Sequence, residues 1–173
     1  MKSEELVRSE ETLEHRFIVS DPEKCTGCRI CELVCSATKE RGFNPLLSRI
    51  RTVRLDSLLN TSVACRLCKE PTCVRSCPRK ALSRSDADGV ILIDHDRCSG
   101  CCWCVEACEF GAVVSLLDKK TVAICDLCSG SPKCVEFCPK EALSLRTAEE
   151  VGQSARKKAV KKLFEESSES DKQ

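Results

Sequence analysis

The chain has 173 residues, of which 17 are cysteine, five phenylalanine and one tryptophan, with no tyrosine. That length suits one compact domain or two small ones, and so few aromatics leave little to anchor an apolar core. A formal charge of +1 gives no electrostatic case for nucleic-acid binding, and no run of about 18 apolar residues is present to span a membrane.

Cysteine at this density needs a compartment. Met1 to Leu6 is charged and lacks an apolar stretch, so no secretory signal is expected and a reducing cytoplasm is. There, clustered cysteines read as metal or redox sites, and an odd number cannot all pair as disulfides.

Residues 1–16 read as a charged lead-in, flexible or helical. Arg16 to Ser20 is a short apolar strand, turned by Asp21-Pro22-Glu23 into the first cysteine run. That run is Cys25, Cys28, Cys31 and Cys35, with gaps of two, two and three residues. This is the ligand spacing of a cubane [4Fe–4S] cluster. Three close thiolates wrap one cluster, and the fourth reaches toward a second, so a partner run is required. Gly27 lets the backbone approach closely. Glu32 to Lys39 is a short helix that carries Cys35 away.

Gly42 to Pro45 breaks that helix. Ser48 to Leu55 alternates polar and apolar residues, as a half-buried strand does. Arg49, Arg51 and Arg54 on it read either as a solvated face or as a docking patch for an acidic partner. The second run is Cys65, Cys68, Cys73 and Cys77, with a middle gap of four residues. Pro78 after it turns the chain, as in the bacterial ferredoxin pattern.

Ala81 to Asp94 reads as a hairpin with its turn at Asp86 to Gly89. His95 is expected at a strand end rather than on a metal. The third run uses Cys98, Cys101, Cys104 and Cys108 and leaves Cys102 spare. Cys102 reads as a packed thiol, with a redox or exchangeable-ligand role as the alternative. Trp103 is expected beside a cluster, excluding water. Glu109 stands where proline is usual, so a different local turn is expected.

Ala112 to Ile124 gives a second hairpin signal. The fourth run is Cys125, Cys128, Cys134 and Cys138, with a middle gap of five residues and Pro139 after it. Glu141 to Leu145 is a closing strand able to pair with Phe17–Ser20. Ala148 to Glu166 is helix-forming, with Val151, Ala155, Ala159 and Leu163 in one stripe. Ser167 to Gln173 is polar and expected to be disordered. The domains expected are a lead-in (1–16), a four-cluster body (17–146) and a charged tail (147–173).

These four quartets resemble the four-cluster electron-transfer subunits of the dimethyl sulfoxide reductase and formate dehydrogenase type. The phrases C-T-G-C-R-I-C-E-L-V-C-S, F-N-P-x-L-S-R-I and C-D-L-C-S-G-S-P-K-C-V-E-F-C-P look most like small iron–sulfur subunits of tungsten or molybdenum aldehyde oxidoreductases and of carbon monoxide dehydrogenase. The resemblance implies an α+β fold of two nested bacterial-ferredoxin-like units, with short β-hairpins, short helices and a C-terminal helix. The outer unit combines runs 25–35 and 125–138, and the inner unit runs 65–77 and 98–108.

The resemblance also implies the ligand sets. Cys25, Cys28, Cys31 and Cys138 would hold one cluster. Cys125, Cys128, Cys134 and Cys35 would hold its mate. The inner pair would use Cys65, Cys68, Cys73 with Cys108, and Cys98, Cys101, Cys104 with Cys77. Loaded this way, the chain would carry about −7.

The function implied is relay of single electrons between a large catalytic oxidoreductase subunit and a ferredoxin or another electron-transfer subunit. The setting implied is anaerobic metabolism, and the chain itself would catalyse nothing. A freestanding polyferredoxin shuttle is the alternative. A zinc-binding interaction module is the remote one, since zinc favours paired C-x-x-C units closing on four ligands.

Overall fold

A computed structural model describes residues 15–56 and 59–170, with side chains described for all of these but Leu117 and residues 165–170. The lead-in over residues 1–14 and the end of the tail over 171–173 lie outside the described residues.

The fold is α+β. β1 (Arg16–Ser20) pairs antiparallel with β8 (Leu143–Thr147), Ile18 opposite Leu145, so the two ends of the body close on each other. The Asp21 N–H donates to the Ala142 carbonyl at 2.7 Å and extends the pairing into the first cysteine run. α1 (Ile30–Glu40) follows, then a 3₁₀ turn at Pro45–Leu47. β2 (Arg51–Arg54) and β3 (Asn60–Val63) form one hairpin. After α2 (Thr72–Arg75) come β4 (Leu82–Arg84) and β5 (Ile91–Ile93), which form the next. α3 (Trp103–Glu106) precedes the third hairpin, β6 (Val114–Leu116) and β7 (Thr121–Ala123). α4 (Lys133–Glu136) leads to β8, and α5 (Ala148–Ser170) ends the described chain.

The strand expected over Ser48–Leu55 is shorter than its alternation suggested. Ser48 is fully buried, donates its hydroxyl to the Ile50 carbonyl (2.7 Å) and accepts from the Ile50 N–H (3.2 Å). A serine that clasps its own backbone competes with the ladder, and pairing starts only at Arg51. The arginines do not form an outward patch. Arg49 pairs with Asp126 (3.1 Å) and Glu40 (3.9 Å), and Arg51 and Arg54 donate to the carbonyls of Pro45 and Gly27. With Lys39–Asp126 (2.8 Å) and Lys119–Glu40 (2.5 Å), these ions tie α1 to the fourth cysteine run and to the β6–β7 turn.

α5 starts on a capping box. The Glu150 N–H donates to the Thr147 hydroxyl (3.2 Å), and the Glu150 carboxylate accepts the Thr147 N–H (2.9 Å). The helix runs past Glu166 to Ser170, into the stretch the composition marked as disordered. Its first turns pack on β8, and Lys158 reaches Asp21 (3.7 Å) and Glu23 (3.2 Å).

Of the five phenylalanines only Phe17 is buried. The core is Ile18, Ile50, Leu67, Ile91, Val122 and Leu143 packed with Cys31, Cys35, Cys65, Cys73, Cys104, Cys125 and Cys134. Cysteine acts here as a small hydrophobe. α1 packs on α4, α2 packs on α3, and β1 packs on β3.

Glu32 is the charged group inside this core. It is 1% exposed, takes the Thr52 N–H on one oxygen (2.7 Å) and Arg29 Nε on the other (2.7 Å), and so ties α1 to β2. Glu32→Ala orphans the Thr52 donor and is expected to cost about 2 to 3 kcal/mol, read as a lowered denaturation midpoint of the loaded protein under anaerobic conditions.

Candidate metal centres

The sixteen regularly spaced cysteines gather around four cavities. Cys25, Cys28 and Cys31 line one together with Cys138. Cys125, Cys128 and Cys134 line the second with Cys35. Cys65, Cys68 and Cys73 line the third with Cys108. Cys98, Cys101 and Cys104 line the fourth with Cys77. In each, three thiols come from one run and one from another. Three of the cavities take in about 310 to 340 Å³ of space partly open to solvent, and the third opens wider, to about 750 Å³.

All seventeen cysteines are free thiols. Among the described residues no three His, Cys, Asp or Glu side chains converge as ligands of a single ion. The sulfurs ring a space instead. Soft sulfur donors in sets of three plus one, spread around an enclosed volume, fit a polynuclear iron–sulfur group. Such a group, when bound, supplies one-electron storage and transfer.

The first and third runs share one local geometry. Gly27 (φ 67°) and Gly100 (φ 67°) take left-handed backbone two residues after the first cysteine, and Arg29 (φ 64°) and Cys102 (φ 64°) do so just before α1 and α3. The spare Cys102 therefore holds the place of a residue, Arg29, that carries no thiol at all. Its sulfur lies 3.3 Å from the Gly100 carbonyl, to which it donates, and 3.3 Å from the Ser115 hydroxyl, a packed thiol at the edge of the fourth cavity. A Cβ on Gly100 would lie 2.7 Å from the Lys120 carbonyl carbon. Gly100→Ala adds that clash to a left-handed backbone worth about 1–2 kcal/mol, so a loss at or above that size is expected, along with weakened iron retention at this site.

The crossing cysteines repeat a second motif. The Ala81, Ala112 and Ala142 N–H groups donate to Cys77 Sγ (3.2 Å), Cys108 Sγ (3.4 Å) and Cys138 Sγ (3.3 Å). One residue earlier, Lys80, Gly111 and Glu141 each have φ near +50° to +60° and donate N–H to the cysteine carbonyl at 3.0–3.1 Å. The turn at Glu109 thus matches those at Pro78 and Pro139, against the expectation that it would differ. The turn is set by the left-handed residue three positions after the cysteine, and proline is optional. The first run is the exception. Ser36 after Cys35 lets α1 continue to Glu40, and the Arg49 N–H serves Cys35 Sγ instead (3.3 Å). The Thr52 and Ser62 hydroxyls each stand 3.5 Å from Cys31 Sγ.

The electrostatics give the order of the cavities. Burial pushes the Cys134 thiol up, and Cys125, Cys35, Cys128 and Cys31 push it further. Burial raises Cys125 to about 11 and Cys65 to about 12, the latter with Cys125 and Cys73 adding to it. Cys104 is raised to about 11 by burial first, then by Cys73, Cys101 and Cys77. The cross-cavity neighbours are Cys31 with Cys134, Cys125 with Cys65, and Cys73 with Cys104. Each cavity therefore adjoins the next in the series Cys25–Cys31, Cys125–Cys134, Cys65–Cys73 and Cys98–Cys104. Cys98 runs the other way. Burial raises it, but the Thr121 hydroxyl, the Gly100 and Val122 N–H groups and the Arg79 charge outweigh burial, and its net shift is downward. Buried neutral thiols must lose protons to bind metal, so cationic iron has to offset that cost.

Trp103 does not cover a cavity. It is 62% exposed on the first turn of α3 and lines none of the four cavities. His95 lies exposed past β5, 3.1 Å from the Thr121 hydroxyl. The alanines, Thr52 and Ser62 escape a search confined to cysteines. The signal for the alanines was present, an Ala four residues after each of three crossing cysteines. Arg66, stacked 4.3 Å from the Phe17 ring and 5.1 Å from the Phe110 ring at the third cavity, left no such signal.

Residues 57–148 match the 4Fe-4S dicluster domain family. The chain is 41% identical over 130 residues to the aliphatic sulfonate oxidoreductase polyferredoxin-like subunit of Pyrococcus furiosus, covering 75% of each. It is 40% identical over 149 residues to the putative electron transport protein YsaA of Escherichia coli, covering 79% of this chain and 93% of that one. Identity to the Escherichia coli electron transport protein HydN is 31% over 154 residues, covering 75% and 86%. Cysteine cages and relatives of this kind converge on one conclusion: the chain belongs to the 4Fe-4S dicluster family of ferredoxin-type proteins, which binds [4Fe–4S] clusters and carries electrons for oxidoreductases.

Proposed function

We propose that this chain binds four [4Fe–4S] clusters and relays single electrons between a catalytic oxidoreductase subunit and a ferredoxin or another electron-transfer subunit in the cytoplasm. The ligand sets are Cys25, Cys28, Cys31 and Cys138; Cys125, Cys128, Cys134 and Cys35; Cys65, Cys68, Cys73 and Cys108; and Cys98, Cys101, Cys104 and Cys77. The observation that carries the reading is the three-plus-one sharing of thiols around four adjoining cavities. The packing of α1 on α4 and of α2 on α3 supports an outer and an inner two-cluster unit within residues 17–146.

The protein's part is position, burial and hydrogen bonding to sulfur. The N–H groups of Arg49, Ala81, Ala112 and Ala142 each hydrogen-bond the sulfur of a crossing ligand and hold it in place. The name of the Pyrococcus furiosus relative, a subunit of an aliphatic sulfonate oxidoreductase, favours a fixed catalytic partner over a freestanding shuttle. The motif resemblance makes an aldehyde oxidoreductase-like chain the partner class expected. Anaerobic affinity purification from native cells tests this. A co-eluting catalytic oxidoreductase chain in fixed ratio is the expected result. A brown protein that elutes alone would favour the shuttle.

A further inference from the structure

The geometry points to a docking face for an acidic electron-carrier protein at the Cys98–Cys104 end of the series, an inference that rests on the four-cluster reading above. The fourth cavity adjoins the third where α3 packs on α2. Cys101 is exposed, so the fourth site opens to the surface here.

Trp103, the single tryptophan of the chain, lies 62% exposed between Cys102 and Cys104. A large rigid aromatic left in water beside an electron-transfer site is an anchor without its pocket, and tryptophan is among the residues that carry most interface energy. Three cations lie on the chain segments around the same cavity. Arg79 lines the fourth cavity, and Lys80 follows it. The Lys120 backbone is pressed so closely on Gly100 that only glycine fits there. All three are exposed, and among the described residues no carboxylate forms an ion pair with any of them.

At the opposite end Arg29 is matched by Glu32 (2.7 Å) and Lys158 by Asp21 and Glu23, while Lys140 on the first cavity stands where Arg79 does here. What separates the ends is the left-handed position after the crossing cysteine, Lys80 here and Glu141 there, with Gly111 in the third run. The loaded chain carries net negative charge, about −7, so a local cationic face would orient an acidic partner onto this end rather than attract it overall. Cations around this cavity, with an exposed tryptophan on the same run, suit a carrier with carboxylates around its own cluster.

The test uses the cluster-loaded full chain and an acidic two-cluster ferredoxin as probe, both oxidised, with affinity measured at low and high salt. Lys80→Glu with Lys120→Glu is compared with Lys24→Glu and Lys157→Glu, an equal charge change placed away from this face. The first pair is expected to weaken binding about tenfold and to flatten its salt dependence, and Trp103→Ala to weaken it about tenfold. The second pair is expected to stay within about twofold. Equal losses in both pairs, or unchanged binding in the first pair and in Trp103→Ala, would overturn the docking face. Iron content is measured in every variant. A parent chain without four clusters would overturn the functional reading itself, whereas a fully loaded chain indifferent to these substitutions overturns only the docking face.

Discussion

Removal of iron from the loaded protein under anaerobic conditions is expected to abolish its cooperative unfolding transition. The core contains a single buried phenylalanine and relies on seven buried cysteines for much of its packing. Strands are three to five residues long, each sheet has two of them, and three of the helices span four residues. Isolated two-stranded hairpins are marginal in water, so these elements persist by packing around the metal groups. Under the proposed ligand sets each group would also bridge runs far apart in the chain, such as Cys31 and Cys138, which line one cavity, and so remove loop entropy from the unfolded state. Chelation leaves four voids ringed by buried thiols. Circular dichroism and a urea titration before and after chelation read the effect. An iron-free chain that keeps its cooperative transition would contradict it.

Cys73→Ser is expected to divide the relay. Cys73 is buried in the third cavity and faces the fourth through Cys104, so it stands at an internal link of the series. Serine is a harder, weaker donor for iron. Iron content is expected to fall by about four per chain. In complex with the co-purified oxidoreductase, turnover that depends on the natural carrier is expected to fall by orders of magnitude. Turnover with a dye that reduces the catalytic chain directly is expected to persist. Cys102→Ala is the matched control, and full iron content is expected there. Loss of a cluster in Cys102→Ala together with retention in Cys73→Ser would reverse the assignment of spare and ligand.

The fold was legible wherever cysteine spacing or short-range turn chemistry dictated it. The β4–β5 and β6–β7 hairpins and the β1–β8 closure follow from apolar runs bounded by turn residues. The Ser48–Leu55 strand was overread because periodicity does not register a serine that bonds its own backbone. Trp103 was misplaced for a related reason. Proximity in sequence to Cys104 says nothing of direction: Cys104 is buried while Trp103 beside it is exposed. The arginines of that strand looked free because their partners, Asp126 and Glu40, are distant in sequence or on another element. Glu109 shows the converse. A missing proline suggests a different turn, yet Gly111 supplies the left-handed residue on which the same turn depends.

The number of clusters is the claim from which the relay, the series and the docking face all descend. Iron and acid-labile sulfide, assayed per chain in anaerobically prepared protein, measure it directly. The account predicts about sixteen of each, with the brown colour bleaching on dithionite. About eight of each, or zinc in place of iron, would contradict it.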